Sequence, residues 1–294
     1  MNKVGFIGVG IMGKSMVRNL MKAGFELHIY ARTKSKVEDV ISEGAQFHES
    51  IKDCVQDCDA VITIVGFPQD VEEVYFDEGN ILDSAKKGAY LIDMTTTSPQ
   101  IAKKIYAEGT KRGFHVMDAP VTGGDTGAKA GTLSILVGGE KEDYEACMPL
   151  FEAMGTNINY QGKAGCGQHC KLANQIMIAG TLSGVCEALT YAKEQGLDPE
   201  VFMKSVATGA AGSKQLDTFG PKILKDDYAP GFFMKHFIKD MKLALIEANR
   251  KGLSLDVLSM VLANYEELEQ EGYGDLGTQA LMKFYDEEHR NTEE

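Results

Sequence analysis

The sequence predicts an α/β fold: an open, doubly wound, mostly parallel sheet at the N-terminus, followed by a second, all-helical domain. Three observations predict it. Short apolar runs alternate with helical stretches through the first half of the 294-residue chain. A glycine-rich turn joins the first apolar run to the first helical stretch. After about Gly162 the strand-like runs nearly vanish.

The elements follow in order. Residues 3–8 read as a buried strand, and residues 12–23 as a helix with Met12, Met16, Leu20 and Met21 at helical spacing. Glu26–Tyr30 is a second strand, and Ser35–Ser42 a short helix with Thr33 or Ser35 as its cap. Further strands are expected at Ala60–Val65, Tyr90–Met94 and Phe114–Asp118, with Leu133–Gly139 closing the series. Continuous apolar runs of this kind suit strands covered on both faces. Gln168–Glu194 is a long helical run whose apolar face carries Leu172, Ile176, Ala179, Leu182, Val185 and Leu189. Helical segments near 198–207, 213–219, 234–251, 254–270 and 277–285 follow. The expected division is therefore residues 1–162 and 163–294. The polar stretch 286–294 is expected to fray.

Composition narrows the function classes. A net charge of -13 disfavours nucleic acid and anionic membrane surfaces as partners. The six cysteines form no framework of a secreted scaffold, which suits a reducing compartment. No signal peptide precedes the first strand, and no run of 18 apolar residues suggests a membrane span. A cytoplasmic protein is expected, with an organelle form left open.

Gly8-Val9-Gly10-Ile11-Met12-Gly13 is a G-x-G-x-x-G run that follows a strand and opens a helix. In that context it is the dinucleotide-binding fingerprint of a Rossmann domain. Gly8 makes the tight turn, Gly10 admits the pyrophosphate, and Gly13 lets the helix pack on the strand. The amides of Ile11, Met12 and Gly13 then face the diphosphate. The position that reads the adenosine ribose lies after the second strand, in Tyr30-Ala31-Arg32-Thr33-Lys34. A carboxylate there selects NAD, and none occurs before Glu38. Arg32 and Thr33 instead offer donors suited to a 2'-phosphate, so NADP(H) is preferred and NAD(H) stays open.

By its motifs the chain resembles the β-hydroxyacid dehydrogenase family, which includes 3-hydroxyisobutyrate dehydrogenases and semialdehyde reductases. Four blocks in family order carry the likeness across nearly the whole chain: Gly5–Gly13, Asp118–Gly124, Gly162–Gln175 and Lys239–Ala244. The resemblance implies that Thr122, Gly123 and Gly124 bind the substrate carboxylate, and a hydroxyl with two unencumbered amides suits an anion. Thr122 stands where most relatives have Ser. Lys171 takes the place of the catalytic residue, as general acid/base. Asn174 and Gln175 take substrate-binding places, although the family usually has Asn where Gln175 stands. Lys239, Pro68 and Thr96 fall at positions near the cofactor. The family also implies a homodimer or homotetramer, assembled through the long helix.

Cys166, His169 and Cys170 lack the four-ligand pattern of a structural zinc site, so no metal is expected. Hydride transfer between NADP(H) and a small β-hydroxy acid or aldehyde acid is the leading function. Three alternatives stay open. An imine reductase is disfavoured by Lys171, a sugar-acid decarboxylase by chain length, and a nucleotide-sensing protein by the complete third block.

Overall fold

The computed structural model describes residues 1–285. The stretch 286–294, expected to fray, lies outside the described residues. The chain divides into two compact units, Met1–Lys171 and Leu172–Glu294. The division falls inside the long helix Cys166–Glu194 rather than before it.

In the first unit, the described residues form one sheet of nine strands. They are β1 (Lys3–Ile7), β2 (Glu26–Tyr30), β3 (Gln46–Phe47), β4 (Ala60–Thr63), β5 (Tyr90–Asp93), β6 (His115–Asp118), β7 (Val121–Thr122), β8 (Leu133–Gly138) and β9 (Gly155–Gly162). The order is β3-β2-β1-β4-β5-β6-β8-β7, with β9 beside β8. The strands β1 to β6 run parallel, while β8 pairs antiparallel with β6 and β7 and parallel with β9.

The pleat sorts the core onto both faces. Val4 and Phe6, Ala60 and Ile62, Ile92 and Met117 join one cluster, together with the first helix through Met16, Val17 and Leu20. Their neighbours Ile7, Val61, Leu91 and Val116 join another, with Cys54, Val71, Val74 and Tyr75. Alternate residues of one strand therefore serve opposite layers, as a doubly wound sheet requires.

The expected elements differ from the observed ones in several places, among them the two-residue strands β3 and β7, which are too short to show as apolar runs. The sheet does not close at β8, because β9 follows it. The sequence Gly-Thr-Asn-Ile-Asn-Tyr-Gln-Gly has one aliphatic residue and is largely solvent-facing, so no apolar run marked it. The stretch after β2 is a short 3-10 turn, Lys34–Lys36, followed by the helix Glu38–Ser42, rather than one helix capped by Thr33 or Ser35. Val37, fully buried with φ near -125°, interrupts it. Finally, the last helical segment is a 3-10 helix, Thr278–Tyr285.

The second unit is helical. The helices Pro199–Val206, Lys214–Ile223, Met234–Asn249 and Asp256–Gln270 follow the long helix. By length and composition alone, Cys166–Glu194 reaches the range of a membrane-crossing helix, with a window of mean hydropathy 1.2. Its side chains behave as those of a core helix. Leu172, Ala179, Leu182, Val185, Cys186 and Leu189 are buried at spacings of three, four and seven, in one cluster with Phe237, Met241, Val261 and Tyr265.

Candidate active site

The phosphate cradle is built by backbone exclusion. Gly8 adopts φ +98°, and a Cβ there would lie 2.0 Å from the Ile64 carbonyl oxygen. A Cβ on Gly13 would lie 2.2 Å from the carbonyl oxygen of Gly8, so only glycine lets the helix start this close to the turn. Gly10 differs, since a Cβ there would meet nothing within 4 Å. That open space is where a ligand can approach the chain.

The helix Ile11–Lys22 begins at Gly10 with no side-chain cap and no acid in its first turn. The amides of Ile11, Met12 and Gly13 lie in this turn, and Lys14 is the first to reach back to Gly10. An uncapped helix start, positive by its dipole and free of carboxylates, fits a dinucleotide diphosphate.

Arg32 and Thr33 lie exposed after β2. The Arg32 guanidinium donates to the Asp70 carboxylate at 2.6 Å. Asp70 also accepts from the Phe67 amide at 2.9 Å, at the start of the helix Pro68–Phe76. The structure thus brings Arg32 towards the loop that carries Pro68. Asp70 was not singled out in the sequence, where it is one acid of an ordinary helical first turn.

Two buried carboxylates stand side by side where β5 and β6 end, Asp93 opposite Asp118 in register. Asp93 accepts from the Thr63 hydroxyl at 2.8 Å and from the Thr95 amide at 3.1 Å. The Thr95 hydroxyl oxygen accepts from the Val65 amide at 3.0 Å. The loop that carries Thr96 is thereby tied to the loop that leads to Pro68. Thr96 itself is half-buried.

Asp118 seats the long helix. Its Oδ1 accepts from the Gly165 amide at 2.7 Å and its Oδ2 from the Gln168 amide at 2.8 Å. Burial pushes this carboxyl up to about 6, against the opposing pull of those two amides. The approach is close: a Cβ on Gly167 would lie 2.3 Å from the Leu136 carbonyl oxygen. Gln168, fully buried, donates from Nε2 to the Thr95 carbonyl at 2.7 Å and accepts at Oε1 from the Thr97 amide at 3.0 Å. Lys171 follows three residues later and is 7% exposed. His169 is exposed on the same turn. Neither Asp118 nor Gln168 was assigned a role from the sequence. Their membership of two motif blocks was the available signal.

Thr122 ends β7, paired with Ser134 of β8, and is half-buried. Gly123 and Gly124 follow with φ +129° and +65°, both exposed. A Cβ on Gly124 would meet nothing within 4 Å. Two successive exposed glycines with positive φ, directly after Thr122, leave this stretch of backbone without side-chain cover.

In the second unit, Asn174 is half-buried and Gln175 buried. Asn174 donates from Nδ2 to Oε1 of Gln175 at 2.7 Å. Gln175 donates from Nε2 to Oδ2 of Asp240 at 2.7 Å. Lys239 Nζ lies 3.0 Å from the other Asp240 oxygen. One chain of contacts thus links Asn174, Gln175, Asp240 and Lys239. The extra methylene of Gln175 is what carries its amide to Asp240. A surface concavity of about 470 Å³, lined by Ser15, Arg18, Asn19, Lys22 and Lys129, contains none of these residues.

Comparisons with known proteins agree in their direction. The family model for the NAD-binding domain of 6-phosphogluconate dehydrogenase matches residues 3–162. That for the NAD-binding region of NADP-dependent 3-hydroxyisobutyrate dehydrogenase matches residues 165–285. An uncharacterised oxidoreductase of Bacillus subtilis is 49% identical over 282 residues, covering 96% of this chain and 98% of its own. The NAD-dependent L-serine dehydrogenase of Pseudomonas aeruginosa is 34% identical over 293 residues, covering 97% and 98%. Among solved structures, the 3-hydroxyisobutyrate dehydrogenase of Mycobacterium tuberculosis with L-serine has a TM-score of 0.88 at 26% identity, covering 96% of this chain and 98% of that one.

Proposed function

The chain belongs to the 3-hydroxyisobutyrate dehydrogenase-like family of β-hydroxyacid dehydrogenases, and from that premise we propose that it interconverts a small β-hydroxy acid and its aldehyde acid with Lys171 as general acid/base. The coarser activity, NAD(P)-dependent oxidoreduction of small hydroxy or keto acids, follows from the family. 3-Hydroxyisobutyrate and L-serine, after which these relatives are named, share the relevant chemistry: a carboxylate and a hydroxyl on the β-carbon.

The observation that carries the reading is the burial of Lys171 one turn into a helix whose start is fixed by Asp118. The dinucleotide supplies or accepts the hydride. In the oxidative direction Lys171 takes the proton of the substrate hydroxyl, and in reduction it returns a proton to the carbonyl oxygen. A hydroxyl such as that of Thr122 is a poor donor at neutral pH, and an amide such as Asn174 surrenders no proton usefully. Thr122 with the Gly123 and Gly124 amides holds the carboxylate. Asn174 orients the substrate oxygen, and Gln175 acts through Asn174 because both ends of its amide are engaged. The family pattern gives Pro68 and Thr96, and in the second unit Lys239, cofactor-binding roles, and Gly8, Gly10, Ile11, Met12 and Gly13 hold the diphosphate. Arg32 and Thr33 favour NADP(H), with NAD(H) as the second cofactor.

Positioned proton transfer is worth roughly 100- to 10,000-fold in rate. Lys171→Ala loses about that factor in kcat while keeping the fold and the cofactor affinity. Steady-state kinetics beside a cofactor titration checks it, and a kcat within threefold of the parent would refute the assignment.

The same reading extends to the setting. The net charge of -13 disfavours nucleic acid and anionic membranes as partners, and six cysteines without a secreted framework suit a cytoplasmic enzyme. Met177 and Tyr191 of the long helix and Val257 and Met260 of Asp256–Gln270 expose apolar side chains, which supports a homodimer or homotetramer. Light scattering at micromolar concentration decides this, since a mass near 32.0 kDa contradicts it.

A further inference from the structure

We infer that Gln168, seated by Asp118, is a positioning residue that sets the place of Lys171 relative to the loop carrying Thr96. The inference rests on the acid/base reading of Lys171 and extends it to a side chain outside the assigned site.

Gln168 spends its whole amide on one loop. Nε2 donates to the carbonyl of Thr95 and Oε1 accepts from the amide of Thr97, so the two bonds bracket Thr96 from either side. The pattern mimics the exchange of bonds between paired strands, made here by one side chain. Its own backbone is held as well, since the Gln168 amide donates to Oδ2 of Asp118 while Gly165 donates to Oδ1. Glycines at 138 and 167 permit this seat. A Cβ at Gly138 would lie 2.7 Å from Asp118 Oδ1, and one at Gly167 would lie 2.8 Å from the Asp118 carbonyl oxygen.

Gln168 and Lys171 are three residues apart on one helix and so share a face. The loop that leaves β5 and the first turn of the helix are thereby locked into one frame. Thr96 belongs to the loop and Lys171 to the helix. Hydride and proton must reach adjacent atoms of one bond. A misplacement of about 1 Å between groups serving such a reaction costs on the order of 100-fold. A buried side chain whose amide oxygen and nitrogen are both engaged, tying that loop to the helix, is placed to prevent that misplacement.

The test uses the full-length enzyme with its dinucleotide. Gln168→Met keeps the volume and removes both side-chain bonds. It is expected to lower kcat roughly 10- to 100-fold. KM and cofactor affinity should stay within threefold. Amide hydrogen exchange at Thr97 should accelerate in the absence of substrate. Gln168→Glu keeps an oxygen for the Thr97 amide. At acid pH, where the neutral carboxylic acid also donates to the Thr95 carbonyl, it should restore protection at Thr97 and recover kcat at least partway from the Gln168→Met value at the same pH. A merely structural role predicts a different pattern, in which the fall in activity matches the fall in folded fraction and kcat per folded molecule is unchanged. That pattern overturns the inference, as does a Gln168→Met enzyme with kcat within threefold of the parent, or a Gln168→Glu enzyme that recovers neither protection nor rate at acid pH. Lys171→Ala is measured in parallel. If it loses kcat while Gln168→Met keeps it, the positioning role alone falls. If Lys171→Ala keeps its kcat, the acid/base reading falls, and the inference with it.

Discussion

The two units prepare their candidate residues by opposite means. In the first, buried side chains chiefly grip backbone: Asp118 takes two amides, Gln168 a carbonyl and an amide, and Asp93 the Thr95 amide beside the Thr63 hydroxyl. In the second, side chains grip side chains in a line from Asn174 through Gln175 and Asp240 to Lys239. The first arrangement fixes where loops and a helix start relative to one another. The second fixes rotamers on helices already placed by their apolar core. A loop has no ladder of its own to hold it, so its position must be bought with buried polar groups.

The largest expected effect lies in the second arrangement. Asp240 is fully buried between the Gln175 amide and the Lys239 ammonium. Removing one member of a buried pair costs about 3–5 kcal/mol, since the remaining charge stays desolvated. Asp240→Ala should lose that much in denaturant unfolding. A loss under about 1 kcal/mol would show that water reaches Lys239 and that the line is not a closed unit.

Asp118 gives a comparable effect that depends on pH. Burial raises its folded-state pKa from the ordinary 3.8 to about 6. Between those values the folded chain binds more protons at this site than the unfolded chain does. Its contribution to stability is therefore greatest at the acid end and declines as pH rises through that window. The shift of roughly two units corresponds to about 3 kcal/mol in all. Asp118→Asn has no such titration. The difference in unfolding free energy between parent and variant should thus drift by roughly 2 kcal/mol from pH 4 to pH 6.5, with the parent losing ground. A flat difference curve would place the folded-state titration of Asp118 near its ordinary value.

Arg32 supplies the smallest effect on stability. Its ion pair with Asp70 is short, but the arginine side chain is 67% exposed. Exposed pairs contribute less than about 1 kcal/mol. Arg32→Ala should leave the unfolding midpoint nearly unchanged and weaken NADPH much more than NADH. Equal loss for both cofactors would remove Arg32 from 2'-phosphate recognition and leave it as a partner of Asp70 only.

The sequence by itself determined the layered sheet, the helical second unit and the glycine cradle. These rest on local signals. The apolar runs at Lys3–Ile7, Ala60–Thr63 and Tyr90–Asp93 are strands wherever they are covered, and Gly8 and Gly13 answer to backbone contacts within one turn and its neighbouring strand. Tertiary structure decided the rest. Nothing in the spacing of Asp118 and Gln168, 50 residues apart, says that a carboxylate and an amide will meet. Likewise Gln175, read as a small departure from a family pattern, proves to be the reach needed for Asp240, 65 residues on. The strand β9 escaped notice for a related reason, because its pairing with β8 supplies what its side chains do not. Periodicity reports which side of an element faces the core. It is silent about which polar groups are buried together, because that depends on how distant segments stack, and each such group is tolerated only where a partner from another segment arrives to satisfy it.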